Sequence, residues 1–205
     1  MEIKVLKLGD IEVNCYLLST DNAAVVIDAG FRSDEVLGFL KSAKDKERLI
    51  ILTHAHYDHI GYALELSRET DTKIAIGKFD NDALSNPYIN LSVLFHTDLE
   101  PFTADLLLRD GDEFSVGDIE FKAIHTAGHT VGGISLLSGE ILFSGDTLFR
   151  QSIGRTDFLG GNFGEIEKSV KMLYSTLPES TRVLPGHGEE TTIGFEKKNN
   201  PYIRG

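Results

Sequence analysis

The chain has 205 residues, with 20 Lys and Arg against 32 Asp and Glu, a formal net charge of −12. Its 41% hydrophobic and 25% charged residues can support a packed core, which excludes wholesale disorder, and the length allows one large or two small domains. The acidic balance argues against a general nucleic-acid binder, although a bound metal would reverse the potential locally and admit an anionic substrate. A single cysteine, Cys15, permits no intramolecular disulfide and favours a reducing compartment. The first 18 residues are punctuated by charges and lack the apolar core of a signal peptide. No apolar run approaches the ~20 residues of a membrane-spanning helix, so a cytoplasmic protein that does not touch the membrane is expected.

In chain order, residues 3–8, 15–19 and 23–27 read as short strands, separated by Gly9-Asp10 and Thr20-Asp21-Asn22. Ser33 is placed to cap a helix over 34–44, with Glu35 in its first turn. The apolar run 49–52 is too short for a helix and reads as a buried strand; a helix at 62–68 and a strand at 74–76 follow. Residues 87–101 have no clean period and suggest an irregular or mobile cover over one face. Strand signals resume at 113–116 and 119–123, joined through Gly117-Asp118 as a hairpin, and continue at 134–137 and 141–143. A helix over 163–174 puts Ile166, Val170, Leu173 and Tyr174 on one face, and a strand at 182–184 runs into Pro185-Gly186-His187. No repeat, low-complexity tract or linker interrupts the pattern, so residues 1–205 read as one domain of two similar halves.

The unusual residues sit where strands run into loops, the usual mounting for sites. Thr53-His54-Ala55-His56-Tyr57-Asp58-His59 places four metal-capable side chains within six residues, directly after a strand. Imidazole and carboxylate suit zinc and other first-row divalent ions. Alternation at 54, 56 and 58 fits an extended or looped backbone, where i and i+2 project to one side, and His59 points elsewhere, free to serve a second ion. His129, Asp146 and His187 stand at similar junctions, in Ala127-Gly128-His129-Thr130, Ser144-Gly145-Asp146-Thr147 and Pro185-Gly186-His187-Gly188. Alone, each is more simply a surface histidine or a turn aspartate; together they leave little room for coincidence, since five of the seven histidines fall within these motifs.

The HxHxDH run, the later single His, the Gly-Asp and the final Gly-His resemble the metallo-β-lactamase superfamily over nearly the whole chain, from Asn14-Cys15-Tyr16-Leu17 to Asn200-Pro201. The resemblance implies an α/β fold, an αββα sandwich of two mixed β-sheets flanked by helices, with a binuclear centre along one edge. By position it assigns one ion to His54, His56 and His129, the other to Asp58, His59 and His187, and makes Asp146 the bridge. Two such ions, about 3.5–4 Å apart, can share a hydroxide and hold both attacking and leaving atoms. Two dications, two carboxylates and a hydroxide leave about +1, which suits a developing oxyanion. Zinc is the favoured ion; iron and manganese share the same ligand preferences.

Within the superfamily, Asp146 stands where β-lactamases generally carry Cys or Ser. His56 stands where flavodiiron proteins carry Glu, and the charge argues against the RNA-processing branch. The stretch from Gly145 to Phe158 is similar to the glyoxalase II group, hydroxyacylglutathione hydrolases, and the short ending is similar to its shorter relatives. That likeness implies hydrolysis of a small-molecule thioester, of the hydroxyacyl-glutathione type, by the bridging hydroxide, with Asp58 orienting it and accepting its proton. Arg155 occupies the place of a basic residue that contacts the glutathione carboxylate; its alternative role is a surface ion pair. The aromatic residue of that pattern, two places further on, is replaced by Asp157, and the C-terminal helical extension of full-length glyoxalase II is missing.

The competing reading is a persulfide dioxygenase, a group with a closely similar Gly-Arg-Thr-Asp-Phe stretch. It would hold one iron through His54, His129 and Asp146 and act on glutathione persulfide. A binding module that has lost catalysis would not need the complete ligand set. Cys15, in an apolar strand, reads as a core residue. His125 reads as support or packing and His96 as solvated. Tyr57 lines the cleft or packs on a neighbouring helix, and Lys197-Lys198 reads as a solvated tail pair.

Overall fold

A computed structural model describes residues 1–205. The chain opens with β1 (Glu2–Leu8), β2 (Val13–Ser19) and β3 (Ala23–Ile27), an antiparallel meander. Helix α1 (Asp34–Ser42) starts at Ser33, whose hydroxyl accepts from the Val36 N–H, and carries Asp34 and Glu35 at its positive end. It stops two residues before the expected boundary. Then come β4 (Glu47–Leu52), a single turn α2 (Tyr57–Ile60), α3 (Ala63–Thr70), β5 (Ile74–Gly77), a 3-10 segment over Lys78–Ser85 and β6 (Leu106–Leu108). The second half holds β7 (Glu113–Val116), β8 (Ile119–His125), β9 (Ile134–Ser138), β10 (Ile141–Gly145), a small hairpin of β11 (Leu148–Phe149) and β12 (Ser152–Ile153), α4 (Phe163–Thr176), β13 (Arg182–Pro185), β14 (Thr191–Thr192) and α5 (Ile193–Asn199).

Two mixed six-stranded sheets result, in the orders β1-β2-β3-β4-β5-β6 and β14-β13-β10-β9-β8-β7. The first turns parallel from β3 onward, and the second is parallel only between β10 and β13. Strand parity sorts the side chains into layers, because successive residues project to opposite faces. From β2 to β4, Tyr16, Leu18, Val25, Ile27, Leu49 and Ile51 enter the core between the sheets, where they meet Phe121, Phe143 and Leu184 of the second sheet. Their neighbours Leu17, Val26, Ile50 and Leu52 face outward onto Val36 and Leu40 of α1 and Leu66 of α3. On the far side, Leu142 and Val183 meet Ile166, Val170, Leu173 and Tyr174, the expected apolar face of α4. The inner strands, β3 and β10 among them, are thus buried on two faces and read as largely apolar runs, whereas β1, β7 and β8 expose alternate or most positions. This is the αββα sandwich.

Several short elements were not expected. The β6 and β14 strands are edge strands of three and two residues, and α2 has only four, below what periodicity registers. In α5, Thr192 caps Phe195 N–H. Lys197 and Lys198 therefore stand in the last turn of a helix, where cations suit the dipole, each 3.7 Å from Glu179, and not in a solvated tail. Residues 87–101 are irregular, as expected. No helix is long and apolar enough to cross a membrane.

Candidate metal centre

Every residue singled out for chemistry follows the carboxyl end of a strand. The Thr53–His59 run follows β4, His129 follows β8, Asp146 follows β10 and His187 follows β13. Strands β8 and β10 each run antiparallel to β9, so they share a direction with each other and with β13. The loops therefore gather along one edge of the sandwich, the usual location for sites in parallel arrangements. Backbone bonds stitch the two sheets there: Ile134 N–H donates to Thr53 C=O at 2.9 Å, and Asn14 N–H to Gly186 C=O at 2.7 Å. The Asn14 amide also donates to Pro185 and Gly188 carbonyls, and the Tyr16 hydroxyl to Pro185, which fixes the His187 loop.

Here the seven expected side chains converge. One group comprises His54, His56 and His129, and a second Asp58, His59 and His187; within each, the candidate ligand atoms lie within 4.8 Å of one another. His56 Nδ1 is 2.9 Å from His129 Nε2. In the second group, His187 Nε2 is 3.2 Å from Asp58 Oδ2 and 3.3 Å from His59 Nε2. Asp146 lies between the groups, with Oδ2 3.4 Å from His129 Nε2 and Oδ1 3.5 Å from His59 Nε2. The backbone route differs from strict alternation. His56 is extended, with ψ of 147°, but Asp58 and His59 belong to the α2 turn. The two side chains nonetheless meet, with Asp58 Oδ2 3.4 Å from His59 Nε2.

The cluster fits divalent ions. His54 Nε2 and Asp146 Oδ1 are buried with no protein hydrogen-bond partner, and His56 turns Nδ1 toward His129. Such groups cost roughly 1–3 kcal/mol each when left unsatisfied, and a nitrogen-and-oxygen donor set suits zinc, iron or manganese. Burial, reinforced by neighbouring imidazoles, holds His54 well below the usual histidine range and takes His56 down to about 2, so their lone pairs are available. Burial alone would raise Asp58, but the charge on His59 and the bond from His187 hold it well below the usual carboxylate range. Burial opposes charge on His59 too, yet Asp58, Asp146 and Asp28 carry it well above.

Two buried aspartates that the sequence reading did not select hold this arrangement. Asp28, just after β3, accepts Thr53 N–H and the Thr53 hydroxyl at 2.8 Å, and His59 Nδ1 at 2.9 Å. The Thr53 hydroxyl, donating to Asp28, accepts from His54 Nδ1 at 3.1 Å. One carboxylate thus sets the orientation of a histidine in each group: His54 presents its Nε2 lone pair to the cluster, and His59 would do so once a bound ion takes the place of its Nε2 proton, the Nδ1 proton staying on Asp28. Asp28 has a φ of 60°, a conformation disfavoured for side chains other than Asn and Asp. Asp80 accepts from Ala55 N–H, Gly132 N–H and the Thr130 hydroxyl, pinning the His54–His56 strand to the His129 loop. A signal existed for Asp28, an aspartate ending an apolar strand as Asp146 does; Asp80 carried none.

The remaining residues resolve simply. His125 Nε2 donates to Val131 C=O and its ring packs on Phe79, away from the cluster. His96 is exposed. Tyr57 both lines the cleft and stacks on Phe95, with centroids 4.5 Å apart. Burial in the first-sheet core pushes the Cys15 thiol up, so it is no nucleophile.

Gly186 lies against the side chains of two candidate ligands. A Cβ there would stand 2.1 Å from Asp146 Oδ1 and 2.8 Å from His59 Cε1. Gly186→Ala is expected to displace both side chains and lower metal affinity by ~10–100-fold, as loss of a supporting contact does; titration against a chromophoric chelator checks it.

Above the cluster lies a cleft of about 330 Å³ with apolar walls that include Ile11, Leu91, Phe95, Phe149, Ile153 and Phe158. Arg155 lines it as well. Its carbonyl accepts from His129 Nδ1 at 2.8 Å. Its guanidinium sits 3.8 Å above the Phe158 ring and donates through two nitrogens to the two oxygens of Asp157, each at 2.8 Å.

The metallo-β-lactamase superfamily model matches residues 8–187. Hydroxyacylglutathione hydrolase GloC of Haemophilus influenzae is 28% identical over 99% of this chain and 98% of its own. Among solved structures, the BLEG-1 B3 metallo-β-lactamase is 36% identical, covers both chains completely and superposes with a TM-score of 0.91. ETHE1 from Myxococcus xanthus is 29% identical over 98% of this chain and 84% of its own, with a TM-score of 0.80. With the strand-end cluster and the four-layer sandwich, these likenesses establish that the chain belongs to the metallo-β-lactamase superfamily and resembles its glyoxalase II-like members.

Proposed function

We propose that this metal-dependent hydrolase cleaves small-molecule thioesters of the hydroxyacyl-glutathione type. The observation that carries this reading is the complete pair of donor groups with Asp146 between them, its Oδ2 near His129 and His187 and its Oδ1 near His59. His54, His56 and His129 would hold one divalent ion, Asp58, His59 and His187 the other, and Asp146 both. Bound there, the ions would supply Lewis acidity and an activated water.

The chain's own residues account for the rest. Asp58 Oδ2 faces His187 and His59, which leaves Oδ1 to take the proton of the attacking water. The apolar walls exclude bulk water from the acyl group and strengthen the electrostatics beneath it. A thiol with a pKa near ~8.5 can depart as thiolate, so no strong general acid is required, and Cys15 is too deeply buried to form a covalent intermediate. Arg155, at the same cleft, offers a guanidinium to a substrate carboxylate. The likeness to hydroxyacylglutathione hydrolase GloC supports this substrate class.

The second reading, a one-iron persulfide dioxygenase, is favoured by the Gly154–Phe158 stretch and the likeness to ETHE1. It leaves the Asp58, His59 and His187 group without a purpose. Anaerobic purification, metal quantification and parallel assays separate the two. Two ions per chain and release of free thiol from S-lactoylglutathione without oxygen uptake are expected. Oxygen consumption with glutathione persulfide and one iron per chain would reverse the assignment, and hydrolysis of a β-lactam in preference to the thioester would replace it.

A further inference from the structure

Arg155 already carries one carboxylate, on its Nε edge. The geometry points to Asp157 as a specificity-determining residue, an internal carboxylate that holds one edge of the Arg155 guanidinium and that a ligand carboxylate must either displace or sit beside. The inference rests on the proposed reading only in taking this cleft as the substrate's seat.

Arg155 donates through Nε and one terminal nitrogen to both oxygens of Asp157, the two-pronged geometry in which a guanidinium would grip a ligand. Stacking on Phe158 holds the plane of the fork from one face. The carbonyl of Arg155 is tied to His129, so its backbone does not drift from the metal cluster. Only the side chain can exchange partners. The group it would exchange is two residues away on the same loop and cannot diffuse off.

A carboxylate-bearing ligand therefore meets a cost in either of two positions. It breaks a paired ion contact to gain an equivalent one, or it takes the remaining Nη edge of a guanidinium whose charge Asp157 already balances, beside that carboxylate. A ligand of the same shape without charge meets neither, and the apolar walls beside Arg155 accept it as they stand. Asp157 is exposed, so the contribution is modest by nature. Exposed ion pairs are worth at most ~1 kcal/mol, or about fivefold in affinity. That is enough to shift preference among thiols that share an acyl group.

The test uses binding alone, so that it does not depend on turnover. The metal-loaded enzyme is titrated calorimetrically with S-hexylglutathione, a thioether that cannot be hydrolysed, and with its dimethyl ester, which has no free carboxylate. In Asp157→Ala, and to a smaller extent in Asp157→Asn, the affinity ratio of acid to ester is expected to rise about fivefold. Adding Arg155→Ala to Asp157→Ala should abolish the gain. A ratio that stays flat or falls in both single variants would overturn the proposal, as would failure of the acid and the ester to bind any form. Thioester cleavage is measured separately. A rising ratio without cleavage would leave this inference standing and remove the assigned reaction, whereas cleavage with a flat ratio would do the reverse.

Discussion

Asp146→Ala is expected to lose both metal ions together and to abolish hydrolysis. Its two oxygens lie 3.4 and 3.5 Å from histidines of different donor groups, and it is the carboxylate that stands between them. Without it, His54, His56 and His129 would have to hold a dication with no carboxylate among them. Two positive ions would also face each other across the gap with one anion fewer between them. The loss should therefore exceed the ~100-fold in metal affinity that removal of a supporting residue costs. Folding should be spared, because Asp146 makes no hydrogen bond to the protein frame and its Oδ1 is a buried unpaired atom. Metal content after dialysis against limiting zinc is the measurement. Retention of two ions per chain in the alanine variant would show that the bridging role is wrongly placed.

The layers and the donor set were legible in the sequence for one reason. Both are written in residue types that are costly to misplace. The runs Ala23–Ile27 in β3 and Leu49–Leu52 in β4 are apolar at every position because each face of those strands is covered there, and histidines collected at strand ends find no easy structural use. What escaped had no such signature. Asp28 and Asp80 work by accepting backbone N–H groups from chain segments 25 to 52 residues away, and in sequence such an aspartate looks like any turn residue. The α2 turn defeated the two-residue alternation read for Asp58 because four helical residues leave no period to detect. Helix α5 was hidden in what read as a tail. Its Glu196 is fully buried and bonds Gln151 N–H, the Thr191 hydroxyl and the Asn200 amide, partners that only the folded chain brings together. Asp157 was noticed as a departure from a pattern, but its contact with Arg155 became readable only with the side chains in place.

Asp28 allows support of the fold to be separated from support of the metal, by comparing two substitutions. Asp28→Ala orphans Thr53 N–H, the Thr53 hydroxyl and His59 Nδ1 at once, and all three are buried. At roughly 1–3 kcal/mol for each unsatisfied donor, with incomplete additivity, the loss should be about 4 kcal/mol. For a chain of this size that lowers Tm by roughly 8–16 °C. Asp28→Asn behaves differently. Its carbonyl oxygen can still accept Thr53 N–H, and asparagine tolerates the φ of 60°, so much of the stability should remain. Its amide, however, stands where Oδ2 accepted from both the Thr53 hydroxyl and His59 Nδ1. Facing a donor, His59 must move its proton from Nδ1 to Nε2, and Thr53 must turn its hydroxyl and release His54 Nδ1. Each donor group then loses a lone pair. The expected result is a small fall in Tm measured in chelator, together with a ~10–100-fold loss of metal affinity. If the asparagine variant binds metal as tightly as the parent while the alanine variant merely melts earlier, Asp28 is a structural brace and the tautomer argument fails.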